Sequence, residues 1–159
     1  MQIRPIQASD NDEIGHLIQR VLEEHKANVP GTAYFDKQLF KLSEVYQAEN
    51  AVYYVIEENN EIMGGAGINV LEGGDPSVCE LQKIYLKQEG RGKGWGRMLI
   101  EKCLDFAENR NYSSCYLETM PELSKGIELY KKVGFVSIEK PLGDTSHHGC
   151  SIWMLKQLS

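Results

Sequence analysis

The chain has 159 residues, 42% of them hydrophobic and 25% charged, which is the size and composition of one globular domain spanning residues 1–159, with no tract polar enough to stay disordered. Its formal net charge of -6 argues against nucleic acid as a partner, because phosphate binding calls for a broadly basic face. No apolar run approaches the about 18 to 20 residues of a membrane span, and the opening MQIRPIQASD lacks the features of a signal peptide, so a cytoplasmic protein with no membrane partner is expected.

Ile3 and Ile6 open a short strand, and Ser9 or Asp10 is placed to cap a helix whose Ile14, Leu17, Ile18, Val21 and Leu22 keep the helical period. The loop KANVPGT follows, after which Asp36 is placed to cap a second helix bearing Leu39, Phe40, Val45 and Tyr46. From Ala51 the pattern changes to strands. AVYYVIEE, a turn at Asn59-Asn60 and EIMGGAGINVLE read as an antiparallel hairpin, with a bulge or close backbone approach at Gly64-Gly65. VCELQKIYLK is a further strand, and it leads into RGKGWG.

Beyond that stretch, Trp95, Met98, Leu99, Cys103 and Phe106 mark the buried stripe of a helix reaching about Asn109. A strand SSCYLET, a helix around PELSKGIELYKKV, and strands near FVSIE and CSIWMLK complete the chain. The order predicts an α/β fold with a mixed sheet, antiparallel in the hairpin region and containing a βαβ crossover from VCELQKIYLK to SSCYLET. Cys79, Cys103, Cys115 and Cys150 are scattered without a CxxC pair, which favours free packing thiols over a metal site, and no metal is expected.

The crossover places Arg91-Gly-Lys-Gly-Trp-Gly96 between a strand's carboxyl end and a helix's amino end. A helix start offers unpaired N–H groups and the positive end of the dipole, so glycines there let an anion approach the backbone, with Arg91 and Lys93 adding charge. A Walker loop is excluded because Gly94, not Ser or Thr, follows Lys93; a dinucleotide fingerprint starting at Gly92 fails at Arg97. A glycine turn that merely caps the helix is the plain alternative.

The remaining pattern is Arg/Gln-x-x-Gly-x-Gly/Ala, met by Arg91, Gly94 and Gly96, and it resembles the coenzyme A pyrophosphate loop of the GNAT superfamily of N-acetyltransferases. IELYKKVGF, residues 127–135, resembles that family's second signature, a helix ending in Leu-Tyr followed by a Gly-Phe turn. The resemblance spans essentially the whole chain and implies a GNAT fold, with a mixed central sheet of about six to seven strands flanked by about four helices. One departure stands out. Many relatives carry an asparagine seven residues before the tyrosine, where this chain has Leu123; Ser124 and Lys125 are the substitutes at hand.

The resemblance further implies acetyl-CoA as co-substrate and an amine acceptor, small molecule or protein. Cofactor contacts fall on the backbone of Ile84, Tyr85 and Leu86 and on Arg91, Gly92, Lys93, Gly94, Trp95 and Gly96, with the N–H near Ile84 polarising the thioester. An alkyl amine of pKa about 10.4 is deprotonated to only about one part in a few thousand at pH 7, so a base is needed. Glu80 is the first candidate; Glu118 and the His147-His148 pair are rivals. Tyr130, matching the tyrosine of relatives, is the candidate acid for the departing thiolate. Tyr34, Phe35, Tyr53, Tyr54 and the His147-His148 loop are candidate walls of the acceptor pocket. The final strand CSIWMLKQL either completes the sheet or pairs across a homodimer, and the competing function is a non-catalytic acyl-CoA sensor.

Overall fold

The computed structural model describes residues 1–159. Its strands are β1 (Gln2–Pro5), β2 (Val52–Glu58), β3 (Glu61–Val70), β4 (Val78–Leu86), β5 (Ser114–Thr119), β6 (Val136–Ile138) and β7 (Ile152–Gln157). The helices are α1 (Asn11–Glu24), α2 (Leu42–Val45), α3 (Trp95–Asn109) and α4 (Ser124–Lys132). The seven strands form one sheet in the order β1-β2-β3-β4-β5-β7-β6. All neighbours are antiparallel except β4 and β5, which are parallel and joined through α3, as the expected mixed sheet with its crossover requires.

Alternation along the strands sends side chains to two cores. On one face Cys79 and Leu81 of β4 join Leu99, Ile100 and Cys103 of α3 and Tyr130 of α4. On the other, Tyr53 and Val55 of β2 join Ile14, Leu17, Ile18 and Leu22 of α1. Each such fully buried aliphatic side chain contributes about 1.5 to 3 kcal/mol of apolar burial. Cys79, Cys103 and Cys115 are buried as free thiols, whereas Cys150 is half-buried before β7.

The β2-β3 turn is as expected: Asn59 and Asn60 adopt φ 53° and 63°, the left-handed pair of a tight hairpin turn that asparagine tolerates. The second helix is not. Only Leu42–Val45 is α-helical, after a 3-10 turn at Ala33–Phe35. Phe40 turns to seat its ring so close to Gly15 of α1 that an added Cβ there would come within 2.5 Å of it. Asp36, expected as a cap, is extended, with its carboxylate drawn into pairs with Lys83 and His147. Likewise Asp10 stands at the start of α1 without capping it through its side chain, because its carboxylate holds the Arg4 guanidinium at 2.7 and 3.0 Å and accepts the Gln7 N–H.

Two features of β4 shape the site. First, β4 pairs with β5 only where Val78, Cys79 and Glu80 oppose Ser114, Cys115 and Tyr116; residues 81–86 have no partner on that edge. Second, Gly65 opposes Tyr85 and Gly67 opposes Gln82, so Lys83 and Ile84 together face the single Ala66 in a β-bulge, with Lys83 at φ 52°. The Tyr53 hydroxyl donates to the Lys83 carbonyl at 2.8 Å and supports the bulge. Its ring lies against Gly65 and Gly67, where a Cβ would come within 2.5 and 2.7 Å of ring carbons. That contact is the reason for glycine at 65 and 67, whereas Gly64 is pressed against Leu86 and the Tyr85 carbonyl.

Candidate active site

The glycine stretch lies at the end of the free edge of β4. Gly92 and Gly94 adopt φ 75° and 80°, and a Cβ built on either would meet nothing within 4 Å, so the loop presents bare backbone to open space. The N–H groups of residues 92–97 donate to no backbone carbonyl; the first helical bond runs from Met98 to Gly94 at 3.1 Å. Six unpaired donors at the positive end of a four-turn helix make a site for a phosphate-type anion.

The side chains around the loop differ in their duties. Arg91 turns back to donate to the Leu86 carbonyl through Nε and Nη2, at 3.1 and 2.9 Å, and meets Glu24 at 3.0 Å, so it ties the loop to the end of β4. Lys93 is half in solvent, with Nζ 4.6 Å from the centre of the Trp95 ring. Trp95 is buried against Gly90, and Gly96 is packed on Leu129 and Leu86, which explains the absence of a larger residue at 96.

At the other end of the gap lies a cavity of about 730 Å3, lined by the loop carrying Thr32, Phe35 and Asp36, by Asn69 of β3, by Glu80, Gln82 and Lys83 of β4, and by His147 and His148. Of the residues expected to wall an acceptor pocket, Phe35 and the His147-His148 loop line it, and Tyr34, Tyr53 and Tyr54 do not. The Tyr34 hydroxyl binds Glu23, Tyr53 is buried beneath the bulge, and Tyr54 faces α3 with Lys102 Nζ 5.1 Å from its ring centre. Two loops are pinned across the cavity: the Gly149 N–H donates to the Gly31 carbonyl at 2.9 Å, and His147 Nε2 lies 2.9 Å from both Asp36 oxygens. Burial alone would raise the Asp36 carboxyl, but the His147 hydrogen bond and the Lys83 charge outweigh it and hold it down at about 2.

The candidate bases are distinguished by what their atoms already hold. Glu118 has both oxygens engaged, one by the Tyr116 hydroxyl at 2.8 Å and the other by Thr145 Oγ1. His147 spends Nε2 on Asp36. Glu80 is 5% exposed, its Oε1 accepts from Gln82 Nε2 at 2.7 Å, and its Oε2 accepts no hydrogen bond and is open to the cavity. Burial pushes its carboxyl up to about 7 and the Glu118 charge adds to this, against the opposite pull of the Gln82 hydrogen bond, His147 and Lys83. A carboxyl poised there can accept a proton at neutral pH.

Tyr130 packs edge-on to Phe135, ring centres 6.1 Å apart, and its hydroxyl makes no hydrogen bond within the protein. Burial, with a smaller push from the Cys150 thiol, raises its pKa and keeps the phenol protonated. Leu123 is half-buried beside the second core, and Ser124 and Lys125 open α4 exposed to solvent. Sequence reasoning missed Asp36, Gln82 and Lys83 as parts of the site. A polar Gln82 two residues from Glu80, on the same face of a strand, was the one available signal.

The acetyltransferase (GNAT) family model matches residues 16–135, three quarters of the chain. The chain belongs to the GNAT family. The E. coli uncharacterised N-acetyltransferase YjgM is 35% identical over 157 residues, covering 98% of this chain and 94% of that protein. Among solved structures, a GNAT-family acetyltransferase from Staphylococcus aureus Mu50 superimposes with a TM-score of 0.86 at 18% identity, over 99% of both chains. A GNAT superfamily phosphinothricin acetyltransferase from Sinorhizobium meliloti, solved with AcCoA, gives a TM-score of 0.77 at 19% identity, over 99% of this chain and 88% of its own. These two likenesses establish the GNAT fold. The expected sheet of six to seven strands with four helices is thus present, at seven strands.

Proposed function

We propose that the protein moves an acetyl group from acetyl-CoA to a primary amine by direct attack in a ternary complex. The observation that carries this reading is the unpaired edge of β4, which runs from a polar cavity with a buried carboxylate to a helix start with six free N–H groups. Binding of AcCoA by the S. meliloti neighbour supports the choice of donor.

Acetyl-CoA supplies the activated acyl group, and the chain's own residues do the rest. The N–H groups of residues 92–97, with Lys93 and with Arg91 bracing the loop, hold the pyrophosphate. The backbone of Ile84, Tyr85 and Leu86 pairs with the pantetheine arm as an added strand would, since no strand pairs with that edge, although the Leu86 carbonyl is already held by Arg91. The N–H of Ile84, the second residue of the bulge, is the donor for the charge that develops on the thioester oxygen. Glu80 accepts the amine proton at Oε2, directly or through water, and Tyr130 holds a proton at its hydroxyl for the departing thiolate.

The acceptor is a polar amine that fits a cavity of about 730 Å3. Release of free coenzyme A thiol from acetyl-CoA, measured over a panel of polyamines, amino acids, aminoglycosides and peptide amines, tests the reading. Turnover with one amine class, slowed about a hundredfold in Tyr130→Phe at unchanged acetyl-CoA affinity, is expected. Tight binding of acetyl-CoA with no turnover on any amine would favour the acyl-CoA sensor instead.

A further inference from the structure

We propose that Gln82, held in turn by the Tyr46 hydroxyl, positions the Glu80 carboxylate, engaging one oxygen and leaving the other turned to the acceptor cavity. The proposal rests on the reading of Glu80 as the base and adds the device that aims it.

Glu80 and Gln82 are two residues apart on β4 and share a face, so the amide of one comes alongside the carboxylate of the other. Gln82 Nε2 donates to Glu80 Oε1 at 2.7 Å, and the Tyr46 hydroxyl donates to Gln82 Oε1 at 2.7 Å. An ionised carboxylate only accepts hydrogen bonds, so it selects the nitrogen end of the amide, and the oxygen end then requires a donor. Tyr46 is the donor that meets it.

The brace is itself fixed. The Tyr46 ring packs on Tyr53, centres 5.3 Å apart, and lies so near Gly67 that an added Cβ would sit 3.0 Å from it. Tyr46 is buried at the end of α2, and Tyr53 is tied to the bulge through the Lys83 carbonyl. One packed column therefore supports both the bulged backbone of β4 and the carboxylate beside it. Side chains locked by packing and by outer hydrogen bonds are what hold a reacting group in one geometry.

The other groups facing Glu80 are Glu118 of β5, Lys83 of β4, and His147 and Cys150 from the loop before β7, with the Tyr46 and Tyr116 phenols. Gln82→Met leaves all of them in place. It keeps the side chain's length and removes both ends of the amide.

The test is a 13C NMR titration of the Glu80 carboxyl, its signal assigned by its loss in Glu80→Gln. Loss of a charge-assisted hydrogen bond raises the midpoint in Gln82→Met by about one pH unit. Tyr46→Phe, which removes a single oxygen and serves where Gln82→Met fails to fold, raises it less in the same direction. A folded variant of either kind with an unmoved midpoint overturns the proposal. Full thiol release by Glu80→Gln would instead sink Glu80 as the base, while leaving a shifted midpoint as evidence for the positioning contact.

Discussion

Replacing Gly94 by alanine separates the conformation of the glycine loop from its capacity to hold an anion. Gly94 stands at φ 80° immediately before α3, and a Cβ there meets no protein atom within 4 Å. No packing is lost, and the structural cost is the left-handed backbone alone, about 1 to 2 kcal/mol for a residue with a Cβ. Loss of glycine's freedom in the unfolded chain returns about 0.4 to 1 kcal/mol. The net destabilisation is then about 1 kcal/mol, or a fall in Tm of about 2 to 4 °C for a chain of this size. The new methyl group occupies the space that the six free N–H groups address, so acetyl-CoA affinity should fall tenfold or more, about 1.4 kcal/mol. Thermal melts without ligand and calorimetric titration with acetyl-CoA read the two effects separately. A variant that melts a few degrees lower and binds acetyl-CoA as tightly as wild type would refute the loop as the anion site.

Asp36→Asn tests the clasp over the cavity. The folded carboxyl sits at about 2 against an ordinary 3.8, so its stabilisation is fully present above pH 3.8 and is lost as pH falls toward 2. The stability gap between wild type and variant in urea melts should be about 2 kcal/mol at neutral pH and close over that window; a gap that does not change with pH would contradict the assignment. Tyr53→Phe removes the hydroxyl that holds the Lys83 carbonyl at 2.8 Å and should cost about 1 to 2 kcal/mol in the same assay. Hydrogen exchange at Ile84 and Tyr85 should speed up in that variant, and unchanged exchange would show that the bulge does not depend on it.

The sheet, the crossover and the glycine loop are legible because each is written in local chemistry. Asn59-Asn60 fits a left-handed hairpin turn, Gly92 and Gly94 fit positive φ, and the α1 and α3 stripes keep a helical period. The bulge is not legible. Lys83 is a side chain with no local reason to adopt φ 52°, and it does so because Tyr53, from another strand, holds its carbonyl against glycines on a third. Asp36 reads as a helix cap because its neighbours cannot reveal that its partner, His147, lies 111 residues away. Glu80 and Glu118 differ in which of their oxygens are already occupied, and no spacing in the chain carries that information.

The most direct test of acetyl transfer at this site follows the acetyl group itself. Acetyl-CoA carrying a labelled acetyl group is mixed with enzyme and the amine panel, and label is traced in wild type and in Glu80→Gln. Wild type should yield one labelled amine for each coenzyme A released, at a rate that rises with pH through about 7 as Glu80 gives up its proton. The variant should lose about 10² to 10⁴ in rate with acetyl-CoA still bound. Label that appears on a protein thiol before it reaches the amine, or an acetyl group bound and never transferred, would contradict it.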